Sequence, residues 1–311
     1  MPCAELTMRS RSTADPGDSL LSALAAPTHC GGTTGTPTAE PQETRPSVAR
    51  NRRTVAGMRV AVLADIHGNL PALEAVLADV DAADVDAIVL TGDMTVGPLQ
   101  AETLDLLASL GERAIWVGGN CERNLVEVVD GTFKQTGAAH EPATIWAGHQ
   151  LTRPQRDHLA ILPATVSLDV DGLGPVLFCH ATAHNDEEIV LVDSPLAWFA
   201  EAFAGVAERT VVCGHTHMPF DRLADGRRIV NPGSVGMPYG PAPTLAYWAL
   251  LGPEVTLRRS TYDLERAAVR LRHSAWPGTQ EFIAENLLHG PPSDAEALAV
   301  FTSWATQRRG R

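Results

Sequence analysis

Residues 59–69 read Arg-Val-Ala-Val-Leu-Ala-Asp-Ile-His-Gly-Asn, a short apolar run that ends in polar side chains. Residues 59–64 have the length and β-rich composition of a buried strand. Because alternate residues at a strand end point the same way, Asp65 and His67 can reach one ligand while Ile66 packs behind them. This stretch therefore predicts a buried strand that delivers polar groups at its carboxyl end.

The pattern continues as alternating strands and helices. Apolar residues at helical spacing follow the first strand, and Pro71 stands near the helix start, where its missing N–H costs nothing. Further strands are predicted over residues 87–90 and 114–117, with a helical pattern around 104–110 between them. This β-α-β-α-β order favours parallel strands with right-handed crossovers.

The chain changes character after about residue 121. Residues 121–165 indicate helices and loops, and strands then dominate at 175–179, 209–213, 227–230, 245–251 and 254–261. The close spacing of the last strands predicts antiparallel hairpins in a second, mixed sheet. Helical patterns return at 263–273, 278–288 and 294–306.

Composition excludes several classes of protein. Hydrophobic residues make up 44% and charged residues 20%, which is enough for a sizeable core. No apolar run approaches the ~18 residues of a membrane span. The net charge of −13 argues against a general nucleic-acid-binding surface, although bound cations would reverse the sign of the field locally. The five cysteines show no CxxC pairing, which favours a reducing compartment and predicts a cytoplasmic protein.

Residues 1–57 are predicted to be a disordered N-terminal extension, since they hold six prolines and no apolar periodicity. Two alternatives concern this segment. Arg9 and Arg11 precede a short apolar run at 20–26, a weak resemblance to a signal peptide. Met58 directly precedes the first strand, so translation could also begin there.

Each of the polar clusters after Asp65 and His67 also follows a predicted strand. The carboxyl ends of strands are where α/β sheets bind their ligands. The metal-compatible members are Asp65, His67, Asp93, Asn120, His180, His215 and His217. Mixed oxygen and nitrogen donors suit Mn, Fe, Zn, Ni or Co better than calcium or a structural zinc. Seven ligands are too many for one tetrahedral ion, so we expect two divalent ions that share Asp93. Taken singly, each motif is also compatible with a turn, a solvated pair or a satisfied core histidine.

As an ordered set, Asp65-x-His67, Gly92-Asp93, Gly119-Asn120, His180 and Gly214-His215-Thr216-His217 resemble the calcineurin-like metallophosphoesterase superfamily. The resemblance spans about 58–262, is nearest to the small bacterial and archaeal phosphodiesterase branch, and includes the turn at 231–236. It implies a four-layer αββα sandwich of two mixed sheets flanked by helices. We therefore expect a metallophosphoesterase domain over 58–262 and a C-terminal helical segment, 263–311, packed on it.

The resemblance also implies roles for the site residues. One ion would be held by Asp65, His67, Asp93 and His217, and the other by Asp93, Asn120, His180 and His215. Many members carry a histidine after the asparagine that assists the leaving group, but here the residue is Cys121. Cys121 is thus either a weak proton donor or, the reading we favour, a small packed residue.

The expected mechanism follows from two cations about 4 Å apart, which would lower the pKa of a bridging water and orient the phosphoryl oxygens for in-line attack by hydroxide. Arg123 is a candidate phosphate-binding residue, since a guanidinium can hold two oxygens. A surface salt bridge with Glu122 or Glu127 is the alternative role for Arg123.

The predicted function is that of a metal-dependent phosphodiesterase acting on a small-molecule or nucleotide ester, with Mn as the favoured metal. A phosphomonoesterase or protein phosphatase using the same site, and a non-catalytic metal-binding interaction protein, are the alternatives. A Rossmann domain is disfavoured because residues 65–69 lack the Gly-x-Gly-x-x-Gly turn. A DNA nuclease is disfavoured because the chain is acidic. A subunit contact through the C-terminal helices, and with it a homo-oligomer, is a further alternative.

Overall fold

The computed structural model describes residues 58–240 and 244–310. The expectations for residues 1–57, including the disordered extension and the signal-like run, lie outside the described residues. The strands are β1 (Val60–Leu63), β2 (Ala87–Thr91), β3 (Ala114–Val117), β4 (Thr165–Val170), β5 (Gly174–Cys179), β6 (Thr210–Val212), β7 (Phe220–Ala224), β8 (Arg227–Asn231), β9 (Ala246–Leu251) and β10 (Val255–Ser260). The α-helices are α1 (Leu70–Ala82), α2 (Gln100–Ser109), α3 (Asn120–Asp130), α4 (Glu141–His149), α5 (Arg153–Ala160), α6 (Leu196–Ala202), α7 (Leu264–Leu271), α8 (Thr279–Ile283) and α9 (Asp294–Arg309).

These strands form two five-stranded mixed sheets, in the orders β10-β9-β1-β2-β3 and β4-β5-β6-β8-β7. The first sheet has β1, β2 and β3 parallel, as the βαβ pattern predicts, and β9 antiparallel to β1. In the second sheet β5, β6 and β8 are parallel, and the edge strands β4 and β7 are antiparallel to their neighbours.

The sheets pack face to face with helices outside, which confirms the predicted αββα sandwich. Val62 and Val89 of the first sheet meet Phe178 and Val212 of the second in one buried cluster. The outer face of the first sheet packs against α1, α2, α7 and α8, and that of the second against α6. Both sheets are therefore buried on two faces, which explains the continuous apolar runs of β1 and β2.

Four features differ from the sequence predictions. Strands β4 and β7 and helix α6 were not predicted. Both strands are sheet edges, and their polar residues interrupt the continuous apolar run that is typical of a central strand. The β9–β10 hairpin joins the first sheet beside β1 rather than the second, with Val60 opposite Leu251. Strand spacing predicts a hairpin but carries no information about which sheet receives it.

The C-terminal helices pack on the sandwich at two places. Leu271 of α7 and Phe282 of α8 lie in the same core cluster as Leu73 of α1. Phe301 of α9 instead packs against Tyr239, in a smaller cluster beside the carboxyl ends of the second sheet's strands. Across the described residues, every helix is too short or too polar to cross a lipid bilayer.

One carboxyl group in this C-terminal part gives a pH-dependent stability. A π-helical turn, Ala284–Leu288, continues α8 and places Glu285 partly inside the fold, where Oε2 has no hydrogen-bond partner among the described residues. Burial and the nearby Glu281 raise the pKa of Glu285 to about 8. The unfolded chain loses this proton near pH 4.5. Between these two values the unfolded state binds fewer protons, so stability falls as pH rises.

We therefore expect Glu285→Gln to stabilise the protein at pH 8.5 by about 1–2 kcal/mol, after allowance for partial solvent screening. At about pH 4.5 the same variant should differ little from wild type. Urea unfolding at both pH values measures this, with the exposed Glu265→Gln as control. An equal effect of Glu285→Gln at both pH values would contradict the assignment.

Candidate functional site

The seven polar residues predicted from the sequence meet in one place, beyond the carboxyl ends of strands from both sheets. Asp65 and His67 follow β1, Asp93 follows β2, and Asn120 begins α3 after β3. The second sheet supplies the three remaining histidines, His180 after β5 and His215 and His217 after β6. All seven side chains are at most 2% exposed.

The backbone at these residues is bent to turn the side chains inward. Asp65, His67, Asp93, His215 and His217 all have φ between 48° and 68°. Left-handed backbone is uncommon for residues other than glycine and costs about 1–3 kcal/mol each. The surrounding structure must therefore hold these loops in place.

Close backbone contacts supply that support. A Cβ on Gly97 would lie 1.7 Å from the carbonyl oxygen of His67, so only glycine fits at that position. The turn at 231–236, which the family resemblance includes, bonds the Asp65 loop from the other side. Ser234 Oγ donates to the carbonyl oxygen of Asp65 at 2.7 Å, and Gly236 N donates to the same oxygen at 3.0 Å.

His67 and His217 face each other across one half of the cluster. Nδ1 of His67 lies 3.2 Å from the carbonyl oxygen of Thr95, and Nδ1 of His217 lies 2.7 Å from that of Met237. A carbonyl can only accept, so both Nδ1 atoms carry the proton and both Nε2 atoms present lone pairs. These Nε2 atoms are 3.3 Å apart. Two opposed lone pairs repel each other unless both nitrogen atoms bind a cation.

His180 and His215 form the other half. Nδ1 of His180 donates to the carbonyl oxygen of Thr91 at 2.8 Å, which turns its Nε2 toward the cluster. That Nε2 lies 3.2 Å from Nδ1 of His215 and 3.4 Å from Oδ1 of Asp93. Nε2 of His215 is buried with no hydrogen-bond partner among the described residues. Such an atom indicates a missing partner at this position.

Asp93 joins the two halves. Its Oδ2 is 3.8 Å from Nε2 of His67, while its Oδ1 is the atom that faces His180. Potential ligand atoms of Asp65, His67 and His217 lie within 4.8 Å of one another, and so do those of Asp93, His180 and His215. Each set contains three of the four residues predicted for one ion. The first set lacks Asp93, which was predicted to be shared, and the second lacks Asn120. The donor set fits divalent transition-metal ions, since it combines carboxylates with neutral imidazoles.

The electrostatics of the cluster follow from burial and from Asp93. Burial lowers the pKa of His67 to about 4 and holds the pKa of His215 well below its usual range. Burial also acts to lower the pKa of His180, but the charge of Asp93 outweighs it and raises that pKa to about 10. His180 therefore holds a proton near pH 7, which a metal ion bound at its Nε2 would displace. His67 and His215 are therefore neutral near pH 7, as metal-ligating imidazoles must be.

The side-chain amide of Asn120 lies at the edge of this cluster. In one orientation its oxygen is 3.1 Å from Nε2 of His180, as a metal ligand would require. In the opposite orientation its nitrogen donates to both His180 and His215 and also to the carbonyl oxygen of Asp186, at 3.2 Å. Asn120 therefore touches both the histidine cluster and the loop that contains Asp186.

Glu122 is a site residue that the sequence analysis did not identify. Its buried carboxylate accepts hydrogen bonds from the backbone N–H groups of Asp93 (2.8 Å), Met94 (2.9 Å) and Gly119 (3.0 Å). It thus fixes the loop that carries Asp93, and it does not pair with Arg123. The sequence signal for this role is a glutamate in the first turn of the helix that begins at Asn120, which is a helix-capping pattern.

Cys121 is 4% exposed and packs in the core cluster that also contains Leu125. Its backbone N–H donates to Oδ1 of Asp93 at 2.9 Å. Its sulfur also lies within 4.8 Å of ligand atoms of His67 and Asp93. Both predicted roles, packing and weak proton donation, are compatible with this position.

Arg123 lies on the surface near the cluster and makes ion pairs. Its Nη1 is 3.6 Å from Glu127, the salt bridge predicted as an alternative, and shorter contacts reach Asp186 and Glu187. The predicted phosphate-binding role of Arg123 remains a prediction.

Comparisons with known proteins agree with this geometry. The family model of the calcineurin-like phosphoesterase superfamily domain matches residues 58–251. An uncharacterized protein of Methanocaldococcus jannaschii is 26% identical over 249 residues, which cover 72% of this chain and 97% of that protein.

Two solved structures have the same fold. A metallophosphoesterase from Sphaerobacter thermophilus is 26% identical with a TM-score of 0.57, covering 73% of this chain and 99% of its own. A hypothetical protein from Pyrococcus horikoshii, at 21% identity and a TM-score of 0.64, covers 75% of this chain and 99% of its own and supports the fold alone. The chain belongs to the calcineurin-like phosphoesterase superfamily and is a hydrolase of phosphoric ester bonds.

Proposed function

We propose that the protein is a phosphodiesterase that uses two divalent transition-metal ions, with manganese favoured. The observation that carries this proposal is the convergence of buried acceptors on one another, above all the opposed Nε2 atoms of His67 and His217 at 3.3 Å. A cation bound by both atoms makes such an arrangement favourable in a buried site. Asp93, placed between the two halves, is the proposed bridging ligand.

The residues divide the work between binding and positioning. When bound, such ions lower the pKa of a water molecule and polarise the phosphoryl oxygens for in-line displacement. Asp65, His67 and His217 would hold one ion, and Asn120, His180 and His215 the other, with Asp93 shared. Hydrogen bonds from Nδ1 to backbone carbonyls fix the orientation of His67, His180 and His217, so the ligand geometry exists before the metal binds.

The substrate we propose is a small-molecule or nucleotide diester. Arg123 stands at the edge of the cluster and supplies a guanidinium for a phosphate oxygen. Cys121 takes the sequence position at which many family members carry a histidine that assists the leaving group, and its burial favours packing instead. A phosphomonoesterase or protein phosphatase would use the same ligands, so the substrate panel below distinguishes them.

A cytoplasmic location is proposed from the cysteines. Cys121, Cys179 and Cys213, those in the described part of the chain, are all free thiols. Free buried thiols suit a reducing compartment.

Metal analysis combined with a substrate panel tests the proposed function. We expect about two metal equivalents per chain, and a chelator should reduce hydrolysis of bis(p-nitrophenyl) phosphate by more than about 100-fold, with recovery on addition of Mn. Faster hydrolysis of p-nitrophenyl phosphate than of the diester would favour the monoesterase. A protein that binds metal but hydrolyses neither ester would refute the enzymatic proposal for these substrates.

A further inference from the structure

An acidic loop lies directly against the candidate metal centre. It leaves β5 at His180, one of the proposed ligands, and carries Asp186, Glu187 and Glu188 in succession. The carbonyl oxygen of Asp186 lies 3.2 Å from the end of the Asn120 amide that also faces His180 and His215. Negative side chains are thus held next to a site proposed to receive a negatively charged ester.

The two leading carboxylates of this loop are bound by Arg123. Nε of Arg123 donates to Asp186 at 2.7 Å, and Nη2 donates to Glu187 at 2.8 Å. Arg123 stands in the first turn of α3, three residues after Asn120. The guanidinium beside the proposed metal ligands is therefore already occupied by the protein's own anions.

Two further arginines, at the end of α9, bind the same loop. Arg308 donates to the carbonyl oxygen of Glu187, and Arg309 pairs with Glu188 and with Glu201. The guanidinium of Arg309 also lies over the ring of Trp198, 4.6 Å from its centroid. Arginines from two separate helices thus surround one acidic loop at the edge of the site.

We propose that Asp186 and Glu187 occupy a binding subsite for a second phosphate group of the substrate, and that this phosphate displaces them from Arg123. The inference rests on the proposed phosphoesterase function and adds a substrate class to it, an ester that carries a phosphate besides the scissile one. Carboxylate and phosphate present oxygens to a guanidinium in the same two-pronged geometry, so one can replace the other.

The exchange is energetically modest. The side chains of Arg123, Asp186 and Glu187 are 32–40% exposed, and ion pairs at such exposure contribute little stability. A phosphate monoester carries a charge of about −1.5 to −2, comparable to Asp186 and Glu187 together, and presents three acceptor oxygens on one group. The loop carboxylates therefore act as internal competitors that weaken binding of an ester with a second phosphate and leave binding of an ester without one nearly unchanged.

The test is a double variant, Asp186→Asn with Glu187→Gln, assayed on two matched esters. These are thymidine 5′-p-nitrophenyl phosphate and the same compound bearing a 3′-phosphate. Removal of the competing charges should lower KM for the 3′-phosphorylated ester by about threefold to tenfold and leave kcat nearly unchanged. KM for the parent ester should change by less than about twofold.

Two further variants control the result. Arg123→Gln should abolish the preference for the extra phosphate. Asp225→Asn, which removes a carboxylate from a surface pair with Arg227 on the β7–β8 turn, should leave both KM values as in wild type. Equal changes of KM for both esters in the double variant, or a higher KM for the phosphorylated one, would overturn the proposal and assign these carboxylates to loop anchoring.

A binding measurement separates this proposal from the proposed function. Isothermal titration calorimetry of metal-free protein should show that the double variant binds thymidine 3′,5′-bisphosphate more tightly than wild type does. The dissociation constant should be lower by about threefold to tenfold. Absence of that difference in a protein that hydrolyses diesters would refute the subsite alone. Its presence in a protein without hydrolytic activity would refute the phosphoesterase function and retain the anion site.

Discussion

Replacing Asp93 by asparagine is expected to reduce metal-dependent hydrolysis of bis(p-nitrophenyl) phosphate by more than about 100-fold. Loss of a residue that merely orients a metal ligand costs 10–100-fold, and a proposed bridging ligand should exceed that. The physical reason is position, since the carboxylate of Asp93 faces His67 on one side and His180 on the other. An amide offers one neutral oxygen, which can satisfy at most one of the two sides.

The fold should survive this change. Asparagine has nearly the same shape, and its oxygen can still accept the N–H of Cys121 that Asp93 accepts at 2.9 Å. The far-ultraviolet circular dichroism spectrum should therefore match wild type, while bound metal falls below two equivalents. Asp221→Asn, which breaks a surface pair with Arg228, is the matched control and should retain full activity. More than a tenth of wild-type activity in Asp93→Asn would contradict the shared-ligand assignment.

Replacing Gly97 by alanine should destabilise the protein by at least about 3 kcal/mol, since no side chain fits between residue 97 and the His67 backbone. The added Cβ would lie 1.7 Å from the oxygen and 2.4 Å from the carbon of the His67 carbonyl group. The backbone must therefore move, and the movement displaces His67 from the cluster. Thermal unfolding should show a melting temperature lower by about 6 °C or more.

Gly111→Ala is the appropriate comparison. Gly111, unlike Gly97, has a positive φ, 58°, but an added Cβ there meets nothing within 4 Å. This variant measures backbone strain alone, which we expect to cost about 1 kcal/mol. If Gly97→Ala were no more destabilising than Gly111→Ala, steric contact with His67 would be excluded as the reason for glycine at position 97.

The parallel core and the site ligands could be predicted because both depend on local sequence. Strands β1 and β2 are continuous apolar runs, and each is followed by a helix of regular apolar spacing. A polar cluster follows each of these strands, and in parallel sheets the carboxyl ends lie at one edge. Convergence of Asp65 with Asp93 was therefore predictable from chain order alone.

Other features carry no periodic signal, and several of them depend on partners that are distant in sequence. The strands that were not predicted, β4 and β7, pair with the next strand along the chain, β5 and β8, but lack the continuous apolar run of a central strand. The contacts between Arg308 and the loop at Glu187 join residues 121 positions apart. The backbone role of Glu122 depends on the loop at 93–95 curling around its carboxylate. No pattern within one segment specifies such contacts.

The division of ligands between the sheets has a mechanical consequence. Asp65, His67 and Asp93 come from the first sheet, whereas His180, His215 and His217 come from the second. An ion coordinated by both groups acts as an inorganic cross-link between the two layers, in addition to their apolar contacts and to hydrogen bonds such as that from His180 to Thr91. Any sliding of one layer over the other would then stretch coordination bonds, so the loaded enzyme resists shear that the apolar interface alone would tolerate.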